Sequence, residues 1–260
     1  MINAKMLVIQ NSPIAENIFE LKVQGELASH VKAPGQFVHI KIGDFIDAML
    51  RRPISICDVD KDSHVLTMIY RTDGKGTKRL SQCIEGEMLE ILGPLGNGFP
   101  IETVKAGAHA ILVGGGVGVP PLYYLSKQLK EKGVQATHIL GFQTEEIVFY
   151  EKEFNHLGPA YVATADGTKG TKGFVTDVLK EQDFVYDVMY ACGPIPMLKA
   201  LETNYNGKPL YLSLEQRMGC AIGACLACVC ETQDRTDSKG YRKVCSDGPV
   251  FKAGEVILPC

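Results

Sequence analysis

Cys220, Cys225 and Cys228 follow one another with four and then two residues between them, and Cys245 stands sixteen intervening residues further on. A tight loop that offers three thiolates, closed by a distant fourth, is the spacing of a plant-type [2Fe–2S] site. Gly219, Gly223, Ala221, Ala224 and Ala227 leave room for the chain to wrap a compact inorganic core. They also free backbone N–H groups to bond sulfur, which helps set a cluster's potential. A structural zinc site is the bland reading, because zinc also takes four thiolates in a tetrahedron. Such sites usually pair two short cysteine knuckles, and this segment holds one. Cys230 competes for the place of Cys228, although the spacing favours Cys228. Cys57, Cys83, Cys192 and Cys260 read as small buried apolar residues or idle thiols. Nine cysteines in all, an odd number with four inside 220–230, argue for metal chemistry over a disulfide framework.

A second set of residues suits phosphates and rings. Arg51 and Arg52 precede Pro53, Ile54 and Ser55. An arginine fork can hold a pyrophosphate, and a serine hydroxyl nearby can reach a flavin ring. Taken alone, an arginine before a strand proline is ordinarily a solvated edge residue. Ile69, Tyr70 and Arg71 end another strand with an aromatic ring and a cation. Gly74, Lys75, Gly76 and Thr77 then open a helix whose free N–H groups suit phosphate oxygens, or form no more than a turn and an N-cap.

Gly114, Gly115, Gly116, Val117 and Gly118 lie between a buried strand and a helix that opens on Pro120 and Pro121. Glycines there let a dinucleotide approach closely, and proline fits a helix start. The segment departs from G-x-G-x-x-G, since its sixth position is Val119. Cys192, Gly193 and Pro194 repeat the strand–glycine–proline–helix order further on. Ligands of open α/β sheets bind outside the carboxyl ends of strands, so the two loops are expected to share one pocket. Glu145 and Glu146, with no arginine or lysine beside them in 142–146, would repel a 2′-phosphate and favour NAD(H) over NADP(H).

The elements that must hold these residues change character along the chain. Short segments at 6–10, 18–23, 36–42, 54–59, 64–70 and 88–92 are apolar or alternating and bounded by turn residues, with one helix at 76–83. They predict a small antiparallel β-barrel. Repeated turns follow at 93–100. Strands at 110–113, 137–141, 161–164 and 188–191 then alternate with helices at 120–131, 151–155, 175–181 and 197–202, which predicts a doubly wound parallel sheet. The segment 213–260 is poor in regular signals and reads as a small unit folded around its metal.

The 260 residues are 45% hydrophobic and 22% charged, with a net charge of −3. That is a globular composition with no basic surplus to attract nucleic acid or an anionic membrane. No apolar run reaches the length of a membrane span, and the first residues lack the pattern of a signal peptide, so a cytoplasmic protein is expected.

The barrel with R-P-I-S and G-x-G-T, then G-G-G-V-G-V-P-P, then C-G-P, resembles the ferredoxin–NADP reductase superfamily. With L-R-R-P-I-S-I, G-P-L-G-N-G-F-P and the C-terminal cysteine loop added, essentially the whole chain resembles the electron-transfer subunits of two-subunit, NAD-dependent dihydroorotate dehydrogenases. The resemblance implies an oxidoreductase subunit with one FAD, one [2Fe–2S] cluster and an NAD(H) site. It implies FAD contacts at Arg52, Pro53, Ile54, Ser55, Ile69, Tyr70, Arg71, Gly76 and Thr77, and cluster ligands at Cys220, Cys225, Cys228 and Cys245. The partner implied is an FMN-containing catalytic subunit, two of each kind forming a heterotetramer. Electrons would run from that FMN through the cluster and FAD to NAD+ in the pathway to UMP. On this reading 1–100 is the FAD-binding barrel, 101–212 the NAD-binding α/β domain and 213–260 the cluster domain. No side chain need act as a general acid or base, and Ser55 is the candidate for a hydrogen bond near the reactive flavin nitrogen.

Overall fold

The computed structural model describes residues 1–43 and 50–258. Cys260 lies outside them. Six antiparallel strands close a barrel: β1 (Ile2–Ala15), β2 (Ile18–Gln24), β3 (Phe37–Ile40), β4 (Arg52–Asp60), β5 (Val65–Arg71) and β6 (Met88–Leu95). Their order around the barrel is β1-β2-β5-β4-β3-β6. Alternation sends Met6, Leu21, Ile40, Ile56, Leu66, Met68 and Ile91 fully inward. Each such side chain is worth about 1.5–3 kcal/mol of burial, which suffices to fix the register. The helix expected at 76–83 is α1 (Lys75–Leu80).

The second layer is a seven-stranded sheet. Its strands are β7 (His109–Gly115), β8 (Gln135–Phe142), β9 (Ala160–Thr164), β10 (Thr171–Lys172), β11 (Val188–Cys192), β12 (Leu210–Ser213) and β15 (Val250–Lys252), in the order β10-β9-β8-β7-β11-β12-β15. All neighbours are parallel except β15, which runs antiparallel to β12. The order reverses between β7 and β11. A reversal of this kind opens a crevice at the carboxyl ends of the strands, where ligands of such sheets sit. Helices α2 (Pro120–Glu131), α3 (Glu151–Asn155), α4 (Val175–Gln182) and α5 (Ile195–Asn204) connect the strands. Pro120 and Pro121 open α2, where their missing N–H groups cost no intrahelical bond.

The structure departs from the sequence reading in places. Gly93, Pro94 and Leu95, expected in a turn, still belong to β6, and the strand expected at 36–42 is shorter. Strands β10 and β12, and β13 (Val229–Glu231), β14 (Tyr241–Lys243) and β15 in the cysteine segment, were not anticipated. Each is two to four residues long, too short for its periodicity to show.

The three segments are packed as one body. The Tyr150 hydroxyl donates to the Glu20 carboxylate of β2 at 2.5 Å, and Lys127 of α2 pairs with Asp58 of β4 at 2.7 Å. Asn97, just past β6, donates from its backbone to Gly248 at 2.7 Å and from its side chain to Ser246 and Asp247. Cys228 and Cys245 share a hydrophobic cluster with Ile111, Val113 and Met189 of the sheet. Among the described residues, no helix is long and apolar enough to cross a membrane.

Candidate functional site

A cleft of about 1050 Å³ lies where barrel, sheet and cysteine segment meet. Arg52, Pro53, Ile54 and Ser55 of β4 form one wall, and Ile69, Tyr70 and Arg71 of β5 stand beside them. Antiparallel pairing of β4 with β5 makes them neighbours although the chain separates them. Tyr70 is buried and its hydroxyl donates to Asn11 at 2.9 Å, so the ring is held rigid at the cleft wall. Arg71 is exposed and pairs with Asp73 at 2.5 Å.

The two arginines of the Arg-Arg-Pro run separate. Arg51 also borders the cleft, but its guanidinium turns to the barrel edge, pairing with the Glu90 carboxylate and donating to Glu90 O at 3.1 Å. Arg52 keeps the cleft side, with its head group lying over Gly76. A Cβ at Gly76 would come within 2.3 Å of Arg52 Nε. Gly76 and Thr77 do not themselves line the cleft. Gly76 makes space for Arg52, and Thr77 Oγ1 bonds the backbone of Gly74 at 3.2 Å as a helix cap.

The two glycine loops do meet. Cys192 pairs with Gly114 across β11 and β7. A Cβ on Gly118 would fall 2.3 Å from Cys192 O, and one on Gly193 3.0 Å from Gly115 N. Pro194 Cδ packs over Gly115. The backbones of Gly114, Gly115 and Gly118 therefore meet those of Cys192 and Gly193 at the switch point of the sheet, with Gly116 in the turn between them. Val117, at the tip of the first loop, reaches the large cleft.

The cysteines fall into two pairs. The Cys225 N–H donates to Cys220 Sγ at 3.3 Å. Desolvation works to raise the Cys220 pKa, yet the N–H groups of Cys225, Ile222 and Ala224 outweigh it and bring the thiol to about 6. Cys245 moves the other way, to about 11, through desolvation and the adjacent Cys228 thiol. Among the described residues, no three histidine, cysteine, aspartate or glutamate side chains converge on a single point. A binuclear cluster takes two thiolates at each iron, and the division Cys220/Cys225 and Cys228/Cys245 fits that demand. Cys230 is buried in β13, and burial raises its pKa.

Other cleft residues escaped the sequence reading: Phe37, Pro249 and the run from Ser213 to Met218. Glu215 is the most chemical of these. Crowding by the protein raises its pKa, with Arg71 acting against the shift, yet the residue still faces solvent along the open cleft. Its position past the end of β12, five residues before Cys220, was the only signal that could have found it.

Residues 112–203 match the family model "Oxidoreductase NAD-binding domain", and residues 215–257 match "Iron-sulfur cluster binding domain of dihydroorotate dehydrogenase B". The dihydroorotate dehydrogenase B (NAD(+)) electron transfer subunit of Bacillus cereus strain 03BB102 is 57% identical over 253 residues, covering 97% of this chain and 98% of that protein. The chain belongs to this family. The counterpart from Bacillus anthracis strain CDC 684 is also 57% identical over the same shares of both chains. Among solved structures, an NADH-dependent reduced ferredoxin–NADP oxidoreductase superposes with a TM-score of 0.87 at 30% identity, covering 98% of this chain and 90% of that one. The ferredoxin reductase of carbazole 1,9a-dioxygenase matches with a TM-score of 0.67 at 18% identity, over 82% and 69% of the two chains, a likeness of fold. Dihydroorotate dehydrogenase B electron transfer subunits and these reductases thus share the barrel-and-sheet frame.

Proposed function

We propose that this chain serves a dihydroorotate dehydrogenase as its electron-transfer subunit, taking electrons from a partner's FMN through a [2Fe–2S] cluster and FAD to NAD+ in pyrimidine (UMP) synthesis. The observation that carries the reading is the run from Ser213 to Met218, which lines the cleft and leads directly into Cys220. A bound FAD would supply the exchange between hydride and single-electron chemistry that nicotinamide and an iron–sulfur cluster cannot manage between themselves.

In this reading Arg52 and Arg71 meet the FAD pyrophosphate, and Pro53, Ile54, Ser55, Ile69 and Tyr70 shape the wall beside the ring. Gly76 and Thr77 contact the FAD at the opening of α1, where Gly76 also gives Arg52 its place and Thr77 caps the helix. Cys220, Cys225, Cys228 and Cys245 hold the cluster. Gly114, Gly115, Gly116, Gly118, Cys192, Gly193 and Pro194 receive NAD(H). The segments 1–100, 101–212 and 213–260 divide the labour between FAD, NAD(H) and cluster.

Cofactor choice follows from the end of β8. Glu145 and Glu146 stand there, and the hydrogen bond from Thr144 lowers the Glu146 pKa, which keeps it ionised. NADH is expected to exceed NADPH in kcat/KM by at least about tenfold, equivalent to ~1.4 kcal/mol. Steady-state assays with an artificial acceptor measure this, and equal efficiency with both nucleotides would overturn it.

The partner is an FMN-bearing catalytic subunit, two of each kind assembling together. Ile222, Leu226 and Val229 are exposed around the cysteine loop, with Leu226 60% accessible. Apolar side chains around a redox centre suit a docking face that must exclude water. The isolated chain is expected to pass electrons from NADH to artificial acceptors and leave dihydroorotate untouched. Joined to its partner, it should support dihydroorotate-dependent reduction of NAD+. Leu226→Asp should weaken that complex by tenfold or more while leaving the cluster spectrum intact. A monomer that reduces ferredoxin well and never stimulates dihydroorotate oxidation would instead assign the chain to a ferredoxin-linked reductase.

A further inference from the structure

Lys243 ends β14, directly opposite Val229 of β13 and two residues before Cys245. Its ammonium reaches back across the cysteine loop and donates to the carbonyl oxygen of Gly223. Gly223 has φ +79°, a conformation that L side chains rarely adopt, and a Cβ there would sit 3.0 Å from Ser246 Oγ. The loop therefore turns sharply at the residue that Lys243 grips. The peptide group that begins with this carbonyl ends in the Ala224 N–H, and the next peptide carries the Cys225 N–H that donates to Cys220 Sγ at 3.3 Å. One ammonium thus anchors the glycine that lies between Cys220 and Cys225, in the loop whose Cys225 N–H bonds the Cys220 sulfur.

The surrounding charges are engaged elsewhere. Asp247 accepts from the Lys243 backbone N–H at 2.7 Å and from Lys239 Nζ at 3.3 Å. Arg242 pairs with Asp237 at 2.6 Å and Glu255 at 3.7 Å. Among the described residues, no carboxylate pairs with the Lys243 ammonium. Its positive charge is uncompensated where it meets the loop. It polarises the Gly223–Ala224 peptide, which adjoins the peptide whose Cys225 N–H bonds Cys220 Sγ.

We infer that Lys243 is a positioning residue that fixes the cluster loop and raises the reduction potential of the cluster it holds. The inference rests on the ligand assignment proposed above. Reduction adds one negative charge to the cluster, and a nearby cation together with better-aimed N–H donors favours the more negative state.

The test uses the complex co-expressed with its catalytic partner, with iron content and an EPR-monitored potentiometric titration as readouts. Lys243→Gln removes the charge and retains a donor, Lys243→Met removes both, and Lys243→Arg retains both. In the Gln and Met variants the ratio of reduced to oxidised cluster at a fixed potential should fall about tenfold, a shift of about 59 mV for one electron. The Arg variant should stay near the parent value. Iron lost from Gln and Met but kept by Arg would support the same role for the cation. A Gln variant with full iron and an unchanged midpoint would overturn the inference and leave the ligand assignment standing. Iron lost from the Arg variant as well would overturn it too. A parent complex with no iron–sulfur signal would instead remove the ligand assignment beneath it.

Discussion

Cys225→Ser is expected to strip the chain of its iron–sulfur absorbance and of dihydroorotate-dependent NAD+ reduction, while FAD and NADH oxidation by artificial acceptors persist. Cys225 is half of one thiol pair, and its own N–H also bonds Cys220 Sγ at 3.3 Å. A serine oxygen is a harder and less acidic donor, so the site loses a thiolate that nothing nearby can replace. Outer-shell losses at metal sites cost roughly 10–100-fold, and removal of a ligand should exceed that. The same holds for Cys220, Cys228 and Cys245. Cys230→Ser is the control. Cys230 is the buried central residue of β13, and its replacement should leave the visible spectrum in place. The reverse pattern, a cluster that survives Cys228→Ser and vanishes with Cys230→Ser, would exchange their roles.

Gly118→Ala is expected to cost stability and nearly all affinity for NADH. The added methyl would meet Cys192 O at 2.3 Å, Cys192 C at 2.4 Å and Gly193 N at 2.5 Å. These are backbone atoms at the crossing of the two loops, so no side chain can rotate away. The loops must part, with overpacking typically costing about 1–3 kcal/mol. Parting also widens the crevice that receives the dinucleotide, so NADH affinity should fall by tenfold or more while FAD content changes little. Gly207→Ala is the reference, because a Cβ there meets nothing within 4 Å. Thermal unfolding and NADH titration of both variants check the point, and wild-type affinity in Gly118→Ala would show that the crossing is not the dinucleotide site.

The legible parts of this chain were those whose signals are local. Pro120 and Pro121 mark the start of α2, and the barrel strands alternate over enough residues to declare themselves. The cysteine spacing pointed to a binuclear site because a short loop limits what three thiolates can reach. The neighbourhood of Glu215 was hidden, since β12 becomes a sheet strand only through pairing with Met189 to Cys192 of β11. The tight approach of Gly76 to Arg52 was hidden for a related reason. The space at Gly76 is needed by Arg52, a residue 24 positions earlier, and only folding brings them together. Arg51 and Arg52 are adjacent in sequence and divide their work because Glu90, on β6, captures the first.

β15 carries a consequence for the chain as a physical object in solution. Its pairing with β12, Tyr211 to Lys252 through Ser213 to Val250, covers what would otherwise be the open margin of a mostly parallel sheet. Uncovered margins of this kind present rows of free N–H and C=O groups that recruit other chains. The segment that carries the cysteines therefore also shields the sheet from self-association. Truncating the chain before it would uncover β12, so the shortened protein should precipitate for reasons unrelated to iron.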